Sequence, residues 1–124
     1  MAFYRVSNGG TVELQWIDKN GSFTLSGSSG NYQGTITIDL SDYTFEKVVG
    51  IFAYLTRNGI SGTNTQGVLL KADGTYNYVV YFNSNFYVRI YAVSLNNTTN
   101  TLTLNLVDSA GAGSGLYNMQ LMLA

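Results

Sequence analysis

Cysteine, histidine and proline are all missing from this chain of 124 residues. Without thiolates or imidazoles it cannot build the usual zinc sites, a Ser-His-Asp or Cys-His nucleophile system, or a histidine general base. The missing cysteines also rule out a disulfide framework, which leaves the redox compartment open. Without proline, exposed sheet edges must be protected by bulges, charges or covering segments. Charge is scarce too: 10% of residues are charged and the net charge is -1, so no basic stripe offers a surface to a phosphate backbone. Nucleic acid is not an expected partner.

Long apolar runs are absent as well. No stretch of about 18 apolar residues suggests membrane insertion. The opening "MAFYRVSNGGTVELQW" has no apolar core of a secretory signal, so synthesis in a cytoplasm is expected. The Asn-x-Ser/Thr triplets at Asn20, Asn96 and Asn97 then read as turn residues rather than glycosylation sites.

What the sequence does have is a period of two. "TVELQWI" places Val12, Leu14 and Trp16 on one face, "GTITIDL" places Ile36, Ile38 and Leu40 together, and "TLTLNLV" does the same with Leu102, Leu104 and Leu106. No segment sustains a helical period, and at most one short helical turn is expected, near "SDYTFEK". Glycine and asparagine clusters, among them "DKNG", "SGSSGN", "RNGISGTNTQG", "ADG", "NSN", "NNTTN" and "SAGAGSG", punctuate the chain. The strands predicted between them cover 11–17, 22–26, 34–40, 48–56, 67–72, 75–82, 86–94, 101–107 and 116–123. Residues 1–124 therefore read as one all-β domain, with 1–10 as a flexible N-terminal segment. The expected architecture is an antiparallel two-sheet β-sandwich, jelly-roll-like, of about eight or nine strands. Trp16, Ile38, Val80, Val88, Ile90 and Leu104 are expected in its core.

The stretch "YNYVVYFNSNFYVRIYAVS", 76–94, carries seven aromatic residues and a single charge, Arg89. Read as a hairpin with a loop at Asn83-Ser84-Asn85, it pairs Phe82 with Phe86, Val80 with Val88 and Tyr78 with Ile90. Its second face then collects Tyr81, Tyr87, Arg89 and Tyr91, the candidate interface or ligand-binding residues. The strand "VVGIFAYLT" is similarly two-faced, with Phe52 and Tyr54 opposite Ile51, Ala53 and Leu55. A second copy of the chain is the expected cover, and "RNGISGTNTQG" folding over the sheet is the alternative.

Candidate chemistry is thin. The carboxylates Glu13, Asp18, Asp39, Asp42, Glu46, Asp73 and Asp108 are scattered, and nothing pairs two of them as a glycosidase acid and base. Several occupy turn contexts. "DKNG" lacks the later ligands of a calcium loop, and "GAGSG" leads into a strand pattern rather than a phosphate-binding helix. No catalytic residue, metal ligand or cofactor is expected.

The segments "MAFYRVSNGG" and "GTITIDLSDYTFEKVVGIFAYL" resemble small structural proteins of tailed phages and prophages. The resemblance implies a β-sandwich virion component, of the head or tail-fibre-tip kind, commonly homotrimeric and in some cases binding host-surface glycans. The coiled-coil stalk that many such proteins carry is not in this sequence, and no catalytic residue carries over. The expected function is a non-enzymatic virion structural or host-adhesion protein acting by self-association, with surface glycan binding beside it. A trimer is preferred and a dimer is the alternative. The rival readings are a free-standing lectin-like carbohydrate-binding module and a small carboxylate-dependent glycosidase.

Overall fold

Side chains that alternate in character every second residue commit a chain to extended backbone with one buried and one solvent face. The computed structural model describes residues 3–7, 10–28, 30–58, 62–84, 88–108 and 111–124, without the side chains of 3–7, 10–13, 62–63 and 80–84. Its strands are β1 (Phe3–Ser7), β2 (Gly10–Ser28), β3 (Asn31–Asp39), β4 (Val48–Arg57), β5 (Gly62–Leu70), β6 (Tyr76–Ser84), β7 (Arg89–Asn96), β8 (Thr101–Asp108) and β9 (Gly113–Leu123). No helix occurs among the described residues.

The strands follow the hydrogen-bonded order β6-β5-β4-β9-β2-β3-β8-β7, with β1 paired to the start of β2. Every pairing is antiparallel. β2 changes partner along its length: Gln15 to Leu25 pair with β9, and only Ser26 to Ser28 pair with β3. That handover turns the path back on itself, so the antiparallel sheet nearly closes into a barrel. The interior is filled by Ile36 and Ile38 of β3, Ile51 and Leu55 of β4, Leu102, Leu104 and Leu106 of β8, and Met119 and Leu121 of β9.

The near-closure is made by side chains. Asn64 and Gln66 on β5 are fully buried, at 0% exposure. Gln66 Nε2 donates to the Ile90 carbonyl at 2.7 Å, and the Ile90 N–H donates to Gln66 Oε1 at 2.7 Å. Asn64 Nδ2 donates to the Val88 carbonyl. Backbone groups that a neighbouring strand would otherwise satisfy are thus taken up from inside the barrel.

This arrangement overturns the expected 76–94 hairpin. Among the described residues β6 pairs with β5 and β7 pairs with β8, and β6 shares no ladder with β7. The cause is physical: the Ile90 N–H and carbonyl, which a pairing strand would need, are already bonded to Gln66. The segment "RNGISGTNTQG", the alternative cover for the sheet, enters β5 at Gly62.

A second correction concerns "DKNG". Instead of turning the chain, it lies within β2, whose register with β9 runs unbroken from Gln15↔Leu123 to Leu25↔Gly113. Gly21 is needed there for space: a Cβ would fall 2.7 Å from the Tyr117 hydroxyl, whose ring lies over the glycine. Because β2 continues through this point, the odd positions from Ile17 to Leu25 face inward and Trp16 faces out, at 43% exposure. The expected core residues Ile38, Val88, Ile90 and Leu104 are buried, Trp16 is not, and the Val80 side chain lies outside the described residues. Phe3–Ser7, within the segment read as flexible, form β1.

The connection at 40–47 contains turns and no helix. It is closed by Ala124, whose N–H donates to the Lys47 carbonyl at 2.9 Å and whose carbonyl accepts from Glu46 and Lys47 at 2.8 and 2.9 Å. At the other end, Arg57 of β4 and Asp108 of β8 form a buried ion pair of 2.5 Å. Arg57 also donates to the carbonyls of Gly111 and Ala112, at 3.2 and 2.7 Å, fixing the approach to β9.

Gln66→Leu should destabilise the fold by about 2–6 kcal/mol, because it strands one buried donor and one buried acceptor at Ile90. Asp108→Ala should cost about 3–5 kcal/mol by leaving Arg57 buried without its counter-charge. Urea titrations of the two variants and the wild type check both values.

Candidate functional site

The outward positions of β2, β9, β4 and β5 line up in cross-strand rows. Trp16, Met122, Gly50 and Leu69 form one row, and Asp18, Gln120, Phe52 and Gly67 the next. Asn20, Asn118, Tyr54 and Thr65 form a third, with Leu116 beyond them opposite Ser22 and Thr56. Trp16, Phe52, Tyr54, Leu69 and Leu116 are all exposed large hydrophobic residues, and outside this face only Tyr91 joins them among the described residues.

The local packing explains how the face is shaped. Trp16 and Phe52 stack with ring centroids 5.7 Å apart and planes inclined by 27°. Gly50 provides a floor without a side chain, over which Phe52, Met122 and Leu69 lie 3.4, 3.6 and 3.7 Å from where a Cβ would stand. One depression of about 540 Å³ is lined by Asp18, Phe52, Tyr54, Thr65, Asn118 and Gln120, with Ala53 and Met119 at its floor. A second, of about 420 Å³, is lined by Asn20, Gly21, Tyr54, Thr56, Leu116, Tyr117 and Asn118. The two share Tyr54 and Asn118.

The residues singled out from the sequence are placed elsewhere or only in part. The Tyr81 backbone pairs with Thr65, while its side chain and the whole of Tyr87 lie outside the described residues. Arg89 and Tyr91 are exposed on β7 and, with Tyr78 and Ile90, line a cleft of about 240 Å³. Tyr91 falls within the register shift of β7, between Ile90 and Ala92. The structure therefore brings Arg89 and Tyr91 together but does so apart from the face that carries Trp16, Phe52 and Tyr54.

The carboxylates have mostly structural settings. The Ser41 hydroxyl and N–H hold Asp39 below the ordinary carboxylate range, and Thr75 does the same for Asp73, its hydroxyl donating at 2.6 Å. Asp108 is the buried partner of Arg57. Burial pushes the Tyr76 phenol up, and its hydroxyl donates to the Val48 carbonyl at 2.9 Å. No group of three or more metal-binding side chains occurs among the described residues.

Asp18 differs in sitting on the aromatic face. What that face presents is flat ring surface beside side-chain amides, hydroxyls and one carboxylate, a combination suited to binding a ligand with apolar faces and many hydroxyl groups. No protein-family model, curated protein or solved structure matches the chain.

Since Trp16 is half in solvent, Trp16→Ala should cost less than about 1.5 kcal/mol, against the ~3–5 kcal/mol of a buried tryptophan. The midpoint of urea unfolding measures the difference. A loss in the buried range would return Trp16 to the core.

Proposed function

We propose that this chain is a non-enzymatic association module, a virion structural or host-adhesion protein of the phage type suggested by its sequence, and that it engages a surface glycan. Its working surface is the outer face of β2, β9, β4 and β5. The observation that carries this reading is the gathering of Trp16, Phe52 and Tyr54 on one solvent face, interleaved with Asp18, Asn20, Asn118 and Gln120. Aromatic rings stack on the apolar faces of sugar rings, and amides both donate to and accept from sugar hydroxyls.

The two-layer, jelly-roll-like description belongs to the same proposal. The handover of β2 at Ser26 to Ser28 supports it, with β6-β5-β4-β9-β2 as one layer and β3-β8-β7 as the other. The same chemistry would serve a free-standing lectin-like module outside a virion.

Self-association is the second reading, favoured by the apolar row of Trp16, Met122 and Leu69 and by Leu116 at the far end of the face. A homotrimer, implied by the phage likeness, is its preferred form, and a dimer, which symmetry alone favours, is its alternative. The two readings separate cleanly in one pair of measurements. On an array of bacterial surface polysaccharides the wild type should bind and Phe52→Ala with Tyr54→Ala should lose at least about tenfold in signal. Absence of any binding, with a wild-type oligomer that Tyr54→Glu dissociates in light scattering, would replace the glycan by a second copy.

A further inference from the structure

Resting on that reading, we infer that the face takes an internal segment of an unbranched, neutral glycan, laid along the strands across Tyr54 and Asn118. The two depressions lie in succession on the sheet and share those two residues as their common border. From Phe52 to Tyr54, and from Gln120 to Asn118, the step is two residues of a strand, about 6.4–6.8 Å, somewhat more than the advance of one sugar along an extended glycan and well short of two. Consecutive sugars would therefore meet Phe52 and Tyr54 in turn.

Two further observations define the ligand. All the described lining residues belong to strands, β2, β4, β5 and β9, and a chain laid along them can continue past both depressions. That geometry suits the middle of a polymer rather than its end. Among the described residues, Asp18 is the only charged one lining either depression, and neither is lined by lysine or arginine. A carboxylate accepts hydrogen bonds from hydroxyls but repels an acidic sugar, while Asn20, Asn118 and Gln120 offer both donors and acceptors. A second copy of the chain would instead have to desolvate Asp18 and these amides, each of which would then need a new partner.

The test uses the purified full chain in native gels containing mixed-linkage β-glucan, mannan, amylose, dextran or polygalacturonate. Titration calorimetry then follows the monosaccharide-to-hexasaccharide series of whichever polymer retards it. At least one neutral polymer should retard the wild type and polygalacturonate should not. Affinity should rise about tenfold or more between one and three sugars and then level off, as binding sites fill. Tyr54→Ala should abolish retardation, with its fold checked by circular dichroism, and Tyr54→Phe should keep it. Asp18→Asn, which removes the charge that turns an acidic sugar away, should gain retardation by polygalacturonate. A monosaccharide bound as tightly as the tetrasaccharide, or retardation by polygalacturonate alone, would overturn this inference while leaving glycan binding in place. No retardation by any polymer overturns it too; if the polysaccharide array is also blank, glycan binding falls with it.

Discussion

The side-chain amide of Gln66 takes the place of a strand. A carboxamide has the same donor and acceptor as a peptide group, and Gln66 sets both against the N–H and carbonyl of Ile90, each at 2.7 Å. Asn64, two residues earlier on the same inward face, does half as much for Val88. β7 lies at one end of the strand order, and its free edge would otherwise leave polar backbone in contact with the core. Because the amides satisfy that edge from within, the sheet nearly closes and the interior stays apolar around Leu104, Ile51 and Leu121.

The aromatic face depends on this arrangement. With the inner face of β4 and β9 committed to the core, Phe52, Tyr54 and Leu116 can only point outward. β4 and β9 are paired on both sides, β4 with β5 and β9, and β9 with β4 and β2. Rings and amides mounted on such strands lose little freedom when a ligand arrives, which favours binding by a preformed surface. The Arg57–Asp108 pair anchors the far ends of β4 and β8, and its bonds to Gly111 and Ala112 set where β9 begins.

Much of the fold was legible because apolar and polar residues alternate cleanly in β3 and β8: Ile36 and Ile38, and Leu102, Leu104 and Leu106 are all buried. In β4 both faces are apolar; Ile51, Ala53 and Leu55 are buried and Phe52 and Tyr54 face out. β5 was partly missed because "TNTQG" buries amides where the pattern leads one to expect apolar residues, so a strand looked like a loop. β2 was divided because "DKNG" has turn composition, although Gly21 is there to admit Tyr117. Trp16 reads as a core residue because it shares a face with Val12 and Leu14, but it lies on the outward side of β2. The 76–94 hairpin was plausible from local pattern alone; what excluded it is a contact between β5 and β7, which no local pattern contains.

Native-state hydrogen exchange at the Ile90 amide tests the closure by Gln66 most directly. The wild-type amide should exchange only as slowly as global unfolding permits, like that of a central strand, and in Gln66→Leu it should lose protection well before the amides of β8. An Ile90 amide that exchanges in the wild type at the rate of an open strand edge would contradict the account.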